Sequence, residues 1–528
     1  MRSNCYSVDT FCAIAGLSAV SAMPHAPACR YLPGDPQWPN HEQWQRLNES
    51  VAGHLVRGSP LAAACHGMGV NASACVSLQS RWTEAQLYPF IQNSSCTLGN
   101  IAPYAIDVAS AQDVIAGLKF AETHNIRISV KNTGHDFLGR SAGAGSLGLW
   151  THNLKDIEVF NYTSPAYSGP ALKMGAGTQA FEAYQVAEEH GYRITGGFCP
   201  TVGLAGGYVQ SGGHGALLGA RTPPHRHPYH QQGALTKAHP DGIVAGDSLS
   251  FSPPNDGNNS TYWAAIEVWH DQLLAQDMTT KMTSYFGFTS TQFNLYAASL
   301  PDSPATVIET ILRPFISILN QFGLPYTFEA TEHRTFYDFF AFYTPGSLPY
   351  GSYSTNSIIG GQLIPQDTAH KNRPALLEAF RSITTSHPGV RINGVAGNVT
   401  HARVGNTAGA NSVLPAWRGA LYTLNMDISV DPASSARVLE GYQALMNQNQ
   451  NLLKATTQGS AAESRGAYLN EATFDNPNWR VDYFGSNYPR LLDVKKAYDP
   501  SHLFHGPATV GSEYWRVAAD GRLCATAR

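Results

Sequence analysis

The 528 residues carry 34 Lys and Arg against 38 Asp and Glu, a formal net charge of −4, and 14% of them are charged while 43% are apolar. Without a basic block such a chain lacks the electrostatic footprint that a phosphate backbone demands, and it is too apolar for a disordered tail. The length suggests about two to four domains, and 49 Gly with 32 Pro describe a turn-rich α+β or α/β enzyme, not a helical bundle. At the N-terminus Arg2 precedes an apolar run, Phe11 to Ala22, ending in Val20-Ser21-Ala22, the small-residue pattern of a cleaved signal peptide. A buried N-terminal helix is the alternative. No later segment is apolar enough to span a bilayer, and N-x-S/T sequons at Asn48, Asn71, Asn93, Asn161, Asn258, Asn259 and Asn398 agree with a secretory route and an extracellular protein. Beyond residue 22 the cysteines are Cys29, Cys65, Cys75, Cys96, Cys199 and Cys524. An oxidising compartment favours disulfides among them, Cys65 with Cys75 being the easiest local pair. Cys199 sits apart in a glycine-rich loop, which suits chemistry or a plain buried thiol.

From Tyr104 the pattern predicts strand, helix, strand: Tyr104 to Val108, a helix opened by Ser110 with Asp113 as a capping box, then Arg127 to Val130. Val114, Ile115, Leu118 and Ala121 form the expected inward stripe. A second such unit follows, with Ala171 to Met174, a helix around Gln179 to His190, and Tyr192 to Thr195. Each unit empties into a glycine loop carrying one unusual nucleophile. The first runs Lys131-Asn132-Thr133-Gly134-His135-Asp136-Phe137-Leu138-Gly139-Arg140-Ser141. The second runs Gly196-Gly197-Phe198-Cys199-Pro200-Thr201-Val202-Gly203 and continues through Gly206-Gly207 to Gly212-Gly213-His214-Gly215. Successive N–H groups in such loops can cradle a pyrophosphate, so two of them at strand ends describe a nucleotide crevice better than solvated turns do.

Two decoys fail. Gly143-Ala144-Gly145-Ser146-Leu147-Gly148 matches GxGxxG but leads into Leu149-Trp150, a strand and not the required helix. Gly175-Ala176-Gly177-Thr178-Gln179-Ala180 has the strand and helix, yet Tyr192-Arg193-Ile194-Thr195-Gly196 lacks the acid a nicotinamide ribose needs, leaving an NAD(P)-dependent dehydrogenase as a weak alternative. No Walker A, GxSxG or HExxH string occurs. His225, His227 and His230 lie among prolines and glutamines, and an irregular loop outweighs a metal site there. No metal is expected.

Cys96-Thr97-Leu98-Gly99-Asn100, Asn132-Thr133-Gly134-His135-Asp136, Cys199-Pro200-Thr201-Val202-Gly203 and the tail motifs together resemble one family in order and over nearly the whole chain. The tail motifs are Tyr468-Leu469-Asn470-Glu471, Tyr483 to Leu492, Tyr498-Asp499-Pro500 and Gly521-Arg522-Leu523-Cys524. They resemble the fungal berberine-bridge-enzyme-like FAD-linked oxidoreductases of the vanillyl-alcohol oxidase and p-cresol methylhydroxylase (PCMH) superfamily.

The resemblance implies an α+β, two-domain flavoprotein with a discontinuous PCMH-type FAD-binding domain and a substrate domain of antiparallel sheet backed by helices, one near Thr306 to Phe322. The implied boundaries are a signal peptide at 1–22, an extension at 23–95, the FAD domain at 96–244, the substrate domain at 245–475, and a segment at 476–528 returning to the FAD domain. It implies FAD held bicovalently, His135 through a ring nitrogen to the 8α-methyl and Cys199 through sulfur to C6. Asn132, Thr133, Gly134, Gly139, Ser141, Thr201, Gly203, Gly206 and Gly207 would line the cofactor, with Asn487 near the flavin ring. Glu471 stands where several relatives carry a Tyr and is the expected base, with Tyr468 in reserve; a turn-bound carboxylate that only accepts hydrogen bonds is the other reading. Substrate would be a small organic molecule of secondary metabolism or a sugar, with O2 reoxidising the flavin of a monomer that binds neither nucleic acid nor membrane. Tyr343, Tyr350 and Tyr353 are candidates for a ring-stacking pocket, or for ordinary core and surface positions.

One stretch departs from the family. After Leu218 the strands expected to continue the FAD sheet are replaced, across 218–237, by a Pro-, His- and Gln-rich segment without strand or helix period. A family-like pattern resumes near Lys237. Loss of those strands predicts exposed apolar faces and unpaired edges. It leaves two readings, a misassembled or alternatively spliced gene and a degenerate member that has lost the flavin and its catalysis.

Overall fold

The computed structural model describes residues 29–526 apart from 66–69, 81–97, 166, 219–232, 255–258, 345, 347, 349–356, 406–408 and 432–433. The signal run, Cys96, His225, His227, His230, Tyr350 and Tyr353 fall outside the described residues.

Strands β1 (Leu55–Arg57), β2 (Tyr104–Asp107), β3 (Arg127–Lys131) and β4 (Ser146–Trp150) form a sheet in the order β1-β2-β4-β3. β4 lies parallel to both neighbours, and β1 is antiparallel to β2. The predicted helix spans Ala111–Thr123, and Ser110 and Asp113 exchange capping contacts at 3.3 and 3.0 Å. The decoy Gly143 to Gly148 does run into a strand, β4, which inserts between the two predicted ones. The inward stripe differs at one position: Ile115 is 40% exposed, while Val114, Leu118 and Ala121 pack inward. Gly117 takes its place, since a Cβ there would lie 2.8 Å from both Ile106 Cδ1 and Leu149 Cδ2. The helix approaches the sheet most closely at this bare Cα.

β5 (Ile157–Ser164), β6 (Tyr167–Gly175) and, later in the chain, β8 (Gly233–Lys237) make an antiparallel sheet in the order β5-β6-β8. The second predicted unit is therefore corrected. Its helix forms over Ala180–Glu189, but the strand after it shrinks to β7 (Tyr192–Arg193), which pairs with β9 (His239–Pro240) and not with β6. Arg193 is drawn 2.6 Å from Asp302, and Gly196 passes so close to Tyr184 that a Cβ would sit 2.4 Å from its hydroxyl, so the chain leaves strand geometry there.

β8 also bears on the anomalous segment, because regular pairing with β6 already begins at Gly233, ahead of Lys237. The anticipated bare apolar face is absent here: Leu172, Met174 and Ala234 are buried in one cluster with Ala183 and Tyr184 of the helix Ala180–Glu189 and Phe336, Phe339 and Phe340 of the helix Phe336–Tyr343. Among the described residues β5 and β8 remain sheet edges.

The remaining strands are β10 (Val244–Phe251), β11 (Thr283–Phe288), β12 (Phe293–Pro301), β13 (Tyr326–His333), β14 (Ser357–Pro365), β15 (Val390–Ala396) and β16 (Ala420–Ser429). They form one antiparallel sheet in the order β13-β10-β12-β11-β15-β16-β14. Helices Ser260–Thr279, Ala305–Gln321, Arg373–Ser386 and Ala436–Thr456 supply the other half of its core. The predicted helix near Thr306 is Ala305–Gln321, which buries Ile308, Leu312, Phe315 and Leu319 at helical spacing. This is the expected antiparallel sheet backed by helices in an α+β fold. No helix of the described residues is long and apolar enough to cross a membrane.

The tail returns to the first sheet. Leu503 joins the core of Ile106, Ile128, Leu147 and Leu149, and Phe504 bridges Ile128 in parallel. Arg522 pairs with Asp35 (Nη2 to Oδ1 2.9 Å), and a Cys29–Cys524 disulfide lies beside it. Cys65 and Cys75 form the expected local disulfide. Truncating Leu503→Ala is expected to cost about 2–5 kcal/mol in denaturant unfolding, the usual range for a buried leucine. A loss below about 0.5 kcal/mol would mean that the tail adds nothing to this core.

Candidate active site

The first glycine loop leaves β3 at the sheet's C-terminal edge, and the second follows β7, so chain reversal at two strand ends brings them face to face. His135 Nε2 lies 2.7 Å from Thr201 Oγ1, and Cys199 Sγ lies 3.9 Å from the same hydroxyl. Thr201, 1% exposed, is thus the point at which the two glycine loops meet. Cys199 is outside any disulfide. Although the residue as a whole is half-buried, burial of its ring pushes the pKa of His135 down to about 4, against an opposing hydrogen bond at Thr201, so the imidazole is neutral at pH 7.

The second loop is anchored on the helix Ala180–Glu189. Gln179 Nε2 donates to Thr201 O at 3.0 Å, and the amides of Ala180 and Phe181 donate to the carbonyls of Val202 and Pro200, each at 3.0 Å. Those carbonyls occupy the helix N-terminus that the Gly175–Ala180 pattern would have offered to a nicotinamide dinucleotide. Further on, Gly215 passes over Gly196 so closely that a Cβ would lie 1.8 Å from the Gly196 carbonyl oxygen, a contact no other residue could make.

The loops leave room and unmet polarity for a dinucleotide. Asn132 Oδ1 is buried without a hydrogen-bond partner, and its Nδ2 donates to Ala176 O. A Cβ on Gly206 or Gly207 would find its nearest neighbour at 3.6 or 3.9 Å, and one on Gly139 nothing within 4 Å, so these backbones are bare to an approaching ligand. Gly203, by contrast, packs on Asn132, to which a Cβ would come within 2.4 Å. Thr133, Gly134 and Ser141 lie partly buried along the first loop.

Arg140 fastens the arrangement. Its Nε donates to Asp136 at 2.5 Å and its Nη2 to Asn470 Oδ1 at 2.9 Å. The amide of Asn470 in turn donates to the Tyr468 hydroxyl at 2.8 Å and to Gly207 O at 3.3 Å. One guanidinium therefore ties the first loop, the second loop and the Tyr468–Glu471 motif together.

Glu471 is largely enclosed between the second loop and the large sheet. Its Oε1 is 2.8 Å from His214 Nε2, and its Oε2 accepts from Asn425 Nδ2 at 3.1 Å. Burial pushes the carboxyl up, but the charge and hydrogen bond of His214, with the Asn425 contact, outweigh it and hold the pKa below the ordinary 4.5. Both oxygens of the expected base are engaged. Tyr468 packs edge-on to His214 (5.3 Å between ring centres), and burial, with the Glu471 charge adding to it, raises its pKa, so the phenol keeps its proton. A narrow recess opens beside this cluster, walled by His214, Phe198, Thr283, Tyr285, Ser299 and Val395.

Asn487 and Tyr343 are both held by protein partners. Asn487 spends its amide on Val413 O (2.8 Å) and Asn411 O (3.5 Å), clamping a segment whose Val413 covers Gly212. Tyr343 bonds Thr331 at 2.8 Å and packs on Phe339, a core position. Conversely, sequence reasoning passed over His214, Arg140, Asn425 and Tyr285. His214 and Arg140 stood inside the two glycine loops and were legible as polar residues there; Asn425 and Tyr285 carry no local signal.

The family description "FAD binding domain" matches residues 102–222, and "Berberine and berberine like" matches residues 467–511. An FAD-linked oxidoreductase of Gibberella zeae is 35% identical over 568 aligned positions, covering 97% of each chain. The chain belongs to the FAD-linked oxidoreductases of the VAO type. The crystal structure of a VAO-type flavoprotein of Myceliophthora thermophila superposes with a TM-score of 0.85 at 32% identity, over 94% of this chain and all of that one. A glucooligosaccharide oxidase of Acremonium strictum, whose FAD is described as 6-S-cysteinyl and 8α-N1-histidyl, shares the fold at a TM-score of 0.61 and 14% identity over 78% of this chain and 91% of that one. This FAD-linked oxidoreductase is thus a two-domain α+β flavoprotein, and its cofactor is FAD. The 568 aligned positions exceed its 528 residues, so several dozen positions in that alignment have no residue here. The match to the FAD-binding description stops at residue 222, inside the segment that departs from the family.

The depressed Glu471 carboxyl has a pH consequence. Its contribution to stability is full above the unfolded value near 4.5 and is lost as pH falls through the lower folded value. Glu471→Gln is therefore expected to lower the melting temperature at pH 7 and to flatten its decline as pH falls below the ordinary carboxylate value of 4.5. A variant whose deficit stays constant over that range would contradict the assignment.

Proposed function

We propose that the protein oxidises a small organic molecule by hydride transfer to a covalently bound flavin, reoxidised by O2 to give hydrogen peroxide, after export from the cell. The observation that carries this reading is the meeting of His135 and Cys199 at the Thr201 hydroxyl beside the recess. Bound FAD supplies the two-electron acceptor. The neutral His135 ring keeps a nitrogen lone pair for attachment, and Cys199 offers sulfur from the facing loop, the pair of links named for the Acremonium strictum oxidase. Asn132, Thr133, Gly134, Gly139, Ser141, Gly203, Gly206 and Gly207 serve as the cradle, with Asn487 steadying it from behind. Phe198 and Tyr285, ring centres 5.5 Å apart, give the recess an aromatic wall that excludes water. Two disulfides are consistent with an oxidising, extracellular destination.

Acid precipitation of the purified protein tests the attachment. The yellow colour is expected to stay with the wild-type pellet and with either single variant, His135→Ala or Cys199→Ala, and to leave with the supernatant in the double variant. A folded wild-type protein without visible absorbance would sink the flavoenzyme reading for this chain.

A further inference from the structure

His214 has the geometry of a base that Glu471 aims. Its Nε2 faces the Glu471 carboxylate at 2.8 Å, and the other oxygen of that carboxylate is pinned by Asn425. A carboxylate that only accepts hydrogen bonds fixes the ring proton on Nε2 and leaves Nδ1 as the acceptor. Nδ1 is buried and has no hydrogen-bond partner, while the side chain, 10% exposed, lines the recess. A buried ring nitrogen with an unused lone pair costs stability, and a substrate group would meet that need. The other titratable groups near the ring are Tyr468 and Tyr285, and burial raises both phenols. Neither competes as a base at neutral pH.

The sheet face beyond the recess indicates what kind of molecule carries the proton. Side chains two apart on a strand share a face, so Asn393 and Arg391 lie on the face that Val395 presents to the recess. Asn393 bonds Asn425 (3.0 Å) and Asp427 (2.9 Å), and Asp427 takes Arg391 on both oxygens at 3.3 Å. With Arg391 already neutralised, this strip holds no spare cation for an acidic substrate. Its polar groups are amides and a paired carboxylate without net positive charge, surroundings that suit hydroxyl groups better than an anion.

We propose that His214 is the catalytic base, taking the hydroxyl proton of an alcohol on Nδ1, with Glu471 and Asn425 as positioning residues. The alcohol would lose its O–H proton to Nδ1 and its C–H hydrogen, with both bonding electrons, to bound FAD, so that the C–O single bond becomes a carbonyl and the two electrons lost by the alcohol are those gained by the flavin. This rests on the flavoenzyme reading above.

Two readouts test it. In holoprotein labelled with 15N-histidine, with His214→Asn to assign the signals, Nε2 is expected to be protonated and Nδ1 bare at pH 8. A ring protonated on both nitrogens, or on Nδ1 alone, would overturn the proposal, and this readout needs neither substrate nor turnover. The second is anaerobic bleaching of the flavin by benzyl alcohol, cinnamyl alcohol or glucose. His214→Asn is expected to keep the visible spectrum of the wild type and to bleach about 10²–10⁴-fold more slowly. Glu471→Gln, which removes the anion but keeps an acceptor, should shift the acid limb of the pH–rate profile to lower pH. Unchanged rates in His214→Asn, or no bleaching of a yellow wild type by any of the three, would reject the assignment. Absence of flavin from the wild type would instead count against the flavoenzyme reading, leaving the ring's proton placement to be judged alone.

Discussion

The carboxylate of Glu471 is the contact on which the arrangement depends. It sits where the glycine loops of the first half meet the face of the large antiparallel sheet, and it bonds one residue of each: His214 from the second loop and Asn425 from β16. Gly361 on β14 allows this, because a Cβ there would come within 2.0 Å of the Glu471 carbonyl oxygen. A buried carboxylate is costly unless its oxygens are satisfied, and here both are. Removing either partner leaves a charge or a donor stranded, so the three residues act as a unit that keeps the loop registered on the sheet.

Arg140 does the same on the far side of the motif. It spans Asp136 and Asn470, and Asn470 passes the contact on to Gly207 and Tyr468. Neighbouring residues of one short motif, Asn470 and Glu471, thereby hold both glycine loops. The tail reinforces them, as Leu138 of the first loop packs with Ala467, Leu469, Tyr483 and Phe484. The sheet and its helices give the large core, but the site is defined by a few polar side chains whose partners lie far off in the chain.

That distribution explains what was legible in the sequence. The capping box at Ser110, the strand after Gly148 and the amphipathic stripe of Ala305–Gln321 are local patterns, and they formed where periodicity and capping place them. The two glycine loops were legible because His135 and Cys199 are rare residue types among glycines. The second strand–helix–strand unit was misjudged because long-range partners, Asp302 for Arg193 and Tyr184 over Gly196, outweighed a local strand pattern. The His214–Glu471–Asn425 cluster joins residues 257 and 46 positions apart, a separation for which a single sequence holds no signal.

The two imidazoles of the site show how little chemistry the residue type alone decides. For His135 desolvation outweighs the hydrogen bonding at Thr201, so the ring is driven neutral. His214 instead faces a carboxylate, which fixes the ring orientation and leaves Nδ1 without a protein partner beside the recess. A ring that must offer a lone pair for a permanent bond belongs in the first environment. One that must gain and release a proton on each turnover belongs in the second. The segment that departs from the family leaves both environments in place, because β8 resumes pairing with β6 at Gly233 and the loops are held from the tail and the large sheet instead.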